Sequence, residues 1–328
     1  MPGEDPPTPA RSATGLRLAR WWLEYRGQLG LLAVLAATML LFRCRLSGFT
    51  SFENLVQILM RVAVIGIVAV GEFFVIVGRG IDISVGKIAA FSSVLAAQLI
   101  AAHGVPMPLA ILLALLAGAG IGSANGVLAA RFGVPPFIVT LGTFSMLSGV
   151  TGLWTHSASV RIPDPGWLAV LGQRPWPVVL MLAVFLLGWI ASGRTVFGRR
   201  LYAIGGNEEA ARLAGISVRL HRTVAYLIAG ALAALGGIVA MSKLWVGDAK
   251  IGEGLEFDAI TAVVLGGTSL FGGQGKLLGV LVGAVFMGTL GTGLYQANVD
   301  SNYQTIIKGA VLVVAVLLDT ALRSRSQK

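Results

Sequence analysis

Long apolar runs separated by short polar breaks occupy most of this chain, at 29–42, 57–77, 85–102, 109–130, 136–154, 177–190, 224–242, 255–270, 277–295 and 303–318. A membrane helix needs about 20 largely apolar residues. The pattern therefore predicts an all-α polytopic membrane protein with ten transmembrane helices. Helical periodicity fails at the glycine-rich stretch Gly78-Arg79-Gly80-Ile81-Asp82-Ile83-Ser84-Val85-Gly86, and Gly272-Gly273-Gln274-Gly275-Lys276 completes a second glycine-rich turn. Non-helical backbone at membrane depth is tolerated only where protein covers it or where it lines a cavity. Broken or re-entrant elements are expected at both places, with Ser84 as the N-cap of the helix that follows the first.

Composition sharpens this picture. Of 328 residues, 55% are hydrophobic and only 12% charged, and the mean hydropathy is +0.81; no soluble core accommodates that much apolar surface. The net charge of +10 sits mainly at the N-terminus, in a central loop and at Arg323, Arg325 and Lys328. That distribution fits membrane topology and lipid headgroups, and no nucleic acid is implied. A single cysteine, Cys44, excludes an intramolecular disulfide, and His103, His156 and His221 are too scattered for a metal site. Residues 1–27 read as a disordered basic cytoplasmic tail, and 28–328 as the transmembrane domain. The first apolar run follows Arg17, Arg20 and Arg26 and is read as a retained helix rather than a cleaved signal. Arg43 and Arg45 then fall outside, against the positive-inside trend. An even number of spans puts both termini in the cytoplasm. The polar stretch 155–175, flanked by Trp154, Trp167 and Trp176, is the largest outer loop, and 244–256 is a second outer linker.

The longest water-compatible stretch is the loop 193–222, with Arg194, Arg199, Arg200, Arg212, Arg219 and Arg222. Its charge assigns it to the cytoplasm. Asn207 is the expected N-cap of a short helix with Glu208 and Glu209 in its first turn, Ala210, Ala211 and Arg212 following, and Gly215 as its stop. Ala210, Leu213 and Ala214 form one shallow apolar side, suited to docking into another protein's groove. Gly86-Lys87 and Gly275-Lys276 are near misses to a phosphate-binding loop, each lacking the upstream glycine and the following Ser or Thr. No nucleophile, base and orienting group share a workable spacing, so the chain is not read as an enzyme.

The run Tyr202-Ala203-Ile204-Gly205-Gly206-Asn207-Glu208-Glu209-Ala210-Ala211-Arg212 resembles the corresponding segment of permeases in the ribose, xylose and galactoside import family, and Glu209-Ala210-Ala211 with Gly215 resembles the EAA signature of ABC-type importers. Three more runs are similar to that family. Gly80-Ile81-Asp82-Ile83-Ser84-Val85-Gly86 parallels its GGIDLSVG, departing at Arg79 and Ile83. Gly133 to Thr143 matches GVPPFIVTLGT, with Pro135 and Pro136 before a helix carrying Thr140 and Thr143. Leu255 to Leu270 parallels ELDAIAAVVIGGTSL and holds Asp258, Gly266, Gly267 and Thr268. The resemblance covers 54–319 and implies a monosaccharide importer permease. It would pair with a second permease copy, identical or similar, and work with a separate ATPase subunit, which uses the ATP, and a soluble solute-binding protein. No cofactor binds the chain itself. By the same resemblance 207–215 is the ATPase-coupling helix, and the glycine-rich elements lie in the membrane-embedded core. Spans two to five and seven to ten begin on opposite sides, as an inverted repeat requires. Glu72 departs from the family and is read either as a structural partner of Arg61 or Arg79 or as a contact to a substrate hydroxyl. An ion-coupled secondary transporter is the alternative function, because it would place ionisable groups such as Arg61, Glu72, Asp258 and Lys308 in its spans.

Overall fold

The structure, a computed structural model, describes residues 13–326, with side chains described over 28–321. In chain order the elements are α1 (Ala13–Arg45), α2 (Phe52–Val77), α3 (Val85–Ala101), α4 (Met107–Arg131), α5 (Pro136–Thr155), β1 (Val160–Arg161), α6 (Leu168–Gly172), α7 (Trp176–Arg194), α8 (Val196–Gly206), α9 (Glu208–Leu213), α10 (Val218–Leu244), β2 (Val246–Gly247), α11 (Leu255–Leu265), α12 (Leu277–Gln296) and α13 (Ser301–Ser326). Eight helices among the described residues are long and apolar enough to cross a membrane. The protein is an all-α, multi-pass membrane protein. Two of the ten expected spans are shorter: α3 has 17 residues and α11 only 11. At 1.5 Å per residue α11 reaches about 16 Å, roughly half the hydrocarbon thickness. The expected run 255–270 stops at Leu265 because Gly266 and Gly267 end the helix, Gly267 with a left-handed φ of 85°. Residues 1–12 of the expected tail lie outside the described residues, and α1 begins at Ala13 with its apolar part at Gln28–Arg45.

α2 is the axis of the bundle. Its apolar window is 89% buried within the chain, against 6% for α13 and 11% for the apolar part of α1. Small residues let neighbours come close, as membrane helices require in the absence of a hydrophobic force between them. On α4, Gly118, Gly122 and Gly126 recur every four residues and meet Gly230, Tyr226 and Thr223 of α10. Three glycines of α10 each face a different helix: Gly230 faces α4, Gly236 faces Val68 of α2, and Gly237 faces Ala89 of α3. Elsewhere α12 lies along α2, α3 packs on α4 and α5, and α11 packs on α12 and α13.

The stretch 244–256, expected as an outer linker, instead runs down the side of α3. Gly247 sits against Ser93, Val94 and Ala97, and Gly252 against Gly86 and Ala89. Protein cover is what permits this irregular backbone at depth. The loop expected at 155–175 is also partly ordered: β1 pairs antiparallel with β2, Val160 opposite Gly247 and Arg161 opposite Val246, and Ser159 hydrogen-bonds Asp248. The two segments therefore lie at the same end of the molecule.

Candidate functional site

The opposite end is built by α8, α9, the start of α10 and both glycine-rich breaks. α8 forms because Thr195 accepts a hydrogen bond from the Gly198 amide (3.2 Å) and Leu201 and Ile204 are buried on one face. α9 is capped at both ends. The Asn207 side chain accepts from the Ala210 amide at 3.0 Å. At the other end Gly215, at φ 77°, closes a Schellman turn in which the Gly215 amide donates to Arg212 and the Ile216 amide to Ala211, both at 3.0 Å. Ala211 tucks against Ile204 and Val218. Glu209, Ala210, Arg212, Leu213 and Ala214 face outward, Leu213 with 86% of its surface free.

This face is joined directly to the breaks. Gly205 packs against the Val77 carbonyl and Gly273 with no room for a side chain, the Gly273 amide donates to Val77 (3.0 Å), and the Tyr202 hydroxyl donates to Gly275 (2.8 Å). Glu208 pairs with Arg212 at 2.6 Å and with Arg222 at 2.7 Å. Partial burial pushes its carboxyl up, but Arg222 and Arg212 outweigh this and hold it below the usual 4.5.

Deeper in the bundle a buried polar cluster surrounds the first break. Asp82 Oδ1 accepts from the Ser84 amide (2.9 Å) and hydroxyl (2.5 Å). Asn125 of α4 donates to the Ser84 hydroxyl (2.9 Å) and accepts from Thr143 of α5 (2.6 Å). Thr140 and Tyr226 both donate to the Ile81 carbonyl at 3.3 Å. Glu72 accepts from the Asp82 amide at 3.1 Å, so it is tied to the break itself rather than to Arg61 or Arg79. One oxygen of each carboxylate, Glu72 Oε2 and Asp82 Oδ2, is buried without a hydrogen-bond partner.

Toward the β1–β2 end, a cavity of about 950 Å³ opens between α2, α10, α12 and the inserted linker, lined in part by Gln57, Arg61, Asp258, Thr292 and Gln296. Asp258 Oδ2 pairs with Lys308 of α13 at 2.7 Å, while its buried Oδ1 has no hydrogen-bond partner.

The family described as branched-chain amino acid transport system / permease component matches residues 54–316. The chain is 39% identical to the ribose import permease protein RbsC of Escherichia coli K12, over 91% of this chain and 94% of that one. It is 42% identical to the RbsC of Bacillus subtilis, covering 81% and 84% respectively. Against the D-allose transport system permease protein AlsC of Escherichia coli K12 identity is 36%, over 83% and 84%. The chain belongs to this permease family. No solved structure matches it.

The permease gathers only some of the residues singled out in its sequence. Gly80, Asp82, Ser84, Thr140 and Thr143 come together with Glu72. Ser84 holds the N-cap position of α3 but makes no cap bond with its side chain; its hydroxyl turns to Asp82 because the carboxylate lies two residues back. Gly86 is elsewhere, against Gly252 and Glu256. Pro135 and Pro136 open α5 at an edge, Pro135 exposed. Gly266 packs on Gly279 of α12, and Gly275 sits over a fully buried Thr268. Asn125, Tyr202, Arg222 and Tyr226 complete the site without having been singled out as site residues. α8 was missed too, although Phe197, Leu201 and Ile204 carry helical spacing behind a capping Thr195.

Proposed function

We propose that this permease is the membrane subunit of an ABC-type importer of a monosaccharide, driven by a separate ATPase and fed by a soluble solute-binding protein. Relatives at 36–42% identity include permeases named for ribose and allose, which favours a sugar within a family whose description names amino acids. The observation that carries the reading is α9: a short helix capped at both ends, presenting Leu213 outward and seated through α8 on the backbone of both breaks. The arginine-rich α8–α9 face lies in the cytoplasm, and with it both termini. Two permease copies enclose the pathway. Within each copy, exchanging α2, α3, α4 and α5 with α10, α11, α12 and α13 maps the α4–α10 contact onto α12–α2, and α3–α4 onto α11–α12, which supports an inverted repeat. The sugar reaches the cavity at the far end, where Gln57, Arg61, Gln296 and the free oxygen of Asp258 supply the mixed donors and acceptors that hydroxyls need.

The test is purification of the tagged chain from its native membrane. An ATPase subunit is expected to accompany the wild type and to be lost from Glu209→Arg. A chain that purifies alone and carries solute in vesicles under an ion gradient would overturn the reading in favour of a secondary transporter.

A further inference from the structure

Arg222 is held at both ends. Its Nη2 lies 2.7 Å from Glu208 Oε2 on α9, and its Nε donates to the carbonyl of Gly78, the C-cap of α2, at 3.0 Å. The Gly78 carbonyl begins the peptide before Arg79, whose φ of 70° is a left-handed conformation that non-glycine residues rarely adopt. The backbone reverses at this point. One turn further along α10, Tyr226 grips the same break at Ile81, and the next residue, Asp82, is bonded to Glu72, Ser84 and through it Asn125.

We propose that Arg222 is a positioning residue that transmits displacement of α9 to the α2–α3 break. Its planar guanidinium makes two differently directed contacts at once, to a carboxylate and to a carbonyl, which the point charge of a lysine does not reproduce. A shift of Glu208 pulls on the Gly78 carbonyl, and the strained turn at Arg79 carries it to the buried polar cluster around Asp82. The relay deepens the importer reading and rests on it.

Two experiments test it, one of them independent of any partner. In the detergent-purified chain alone, Glu208→Gln is expected to raise amide hydrogen exchange across 78–84 several-fold, whereas Glu209→Gln, whose side chain faces outward, does not. Unchanged exchange at 78–84 in Glu208→Gln overturns the relay, whatever the ATPase does. In the intact complex, Arg222→Lys is expected to lower the sugar moved per ATP hydrolysed by roughly fivefold or more, a size typical of coupling between sites. Glu208→Gln lowers it as well, and the double variant is no worse than the poorer single one, because both cut the same link. Additive losses, or an unchanged ratio in Arg222→Lys, refute the proposal. A wild-type chain that recruits no ATPase counts against the importer reading instead, and the exchange result still stands on its own.

Discussion

At Gly205 a Cβ would collide with the carbonyl of Val77 and the amide of Gly273, so the seat between the α8–α9 segment and both breaks is made of backbone. Gly206, its neighbour, has open space where a Cβ would go. Gly205→Val is therefore expected to destabilise the protein by about 1–3 kcal/mol through overpacking and to disturb the Gly273–Val77 hydrogen bond. Gly206→Ala should leave the thermal midpoint in detergent within a degree or two of wild type. Equal behaviour of the two variants in a thermal unfolding series would show that the seat is not packed as described. The residues around Asp82 follow a different logic: polar groups in the interior are held by hydrogen bonds because leaving one unmade is costly. That is why Ser84, Asn125 and Thr143 form a chain from α3 through α4 to α5. Neither Asn125 nor Tyr226 stands out in the sequence, since each lies inside an apolar run with its partners on distant elements.

At the scale of elements, α9 is the part whose form follows most directly from local chemistry. Its cap, acidic first turn and closing glycine lie within nine residues, 207–215, and each acts on backbone no more than a turn away. Its attachment is electrostatic as well. The Glu208 carboxyl is held below 4.5 by Arg222 and Arg212 against the effect of burial. A depressed folded value means that the contribution is fully present above 4.5 and is lost as the pH falls through the folded value. Arg212 is 69% exposed, so most of the effect rests with Arg222. A spin label at Leu213 should report constant mobility from neutral pH down to 4.5 and a looser helix below it. Loosening as the pH rises instead would contradict the sign. α11 is the contrasting element, ended early by Gly266 and Gly267 and anchored to α13 by Asp258 and Lys308. Its apolar sequence runs on to Leu270, so hydropathy alone extends it beyond its true end.

For the whole molecule, the two ends have opposite characters: an arginine-rich face carrying α9, and a β1–β2 end with the cavity beneath it. With Cys44 replaced by serine, Leu213→Cys is expected to react with a membrane-impermeant maleimide only from the cytoplasmic side of sealed vesicles, and Trp167→Cys only from the outer side. Labelling of both from one side would refute the topology. Sequence by itself determined the membrane class, the position of the first break, the capped helix at 207–215 and the kinship behind the proposed function. Apolar runs, caps and turn residues act over a few neighbouring positions and leave their mark there. Only the tertiary structure decided that the 244–256 stretch sinks along α3, that Glu72 answers to Asp82, and that Arg222 joins α9 to a carbonyl 144 residues away. Those outcomes depend on which faces of distant helices meet, and in a bundle where α2 is buried nearly all round, apolar periodicity carries little record of that choice.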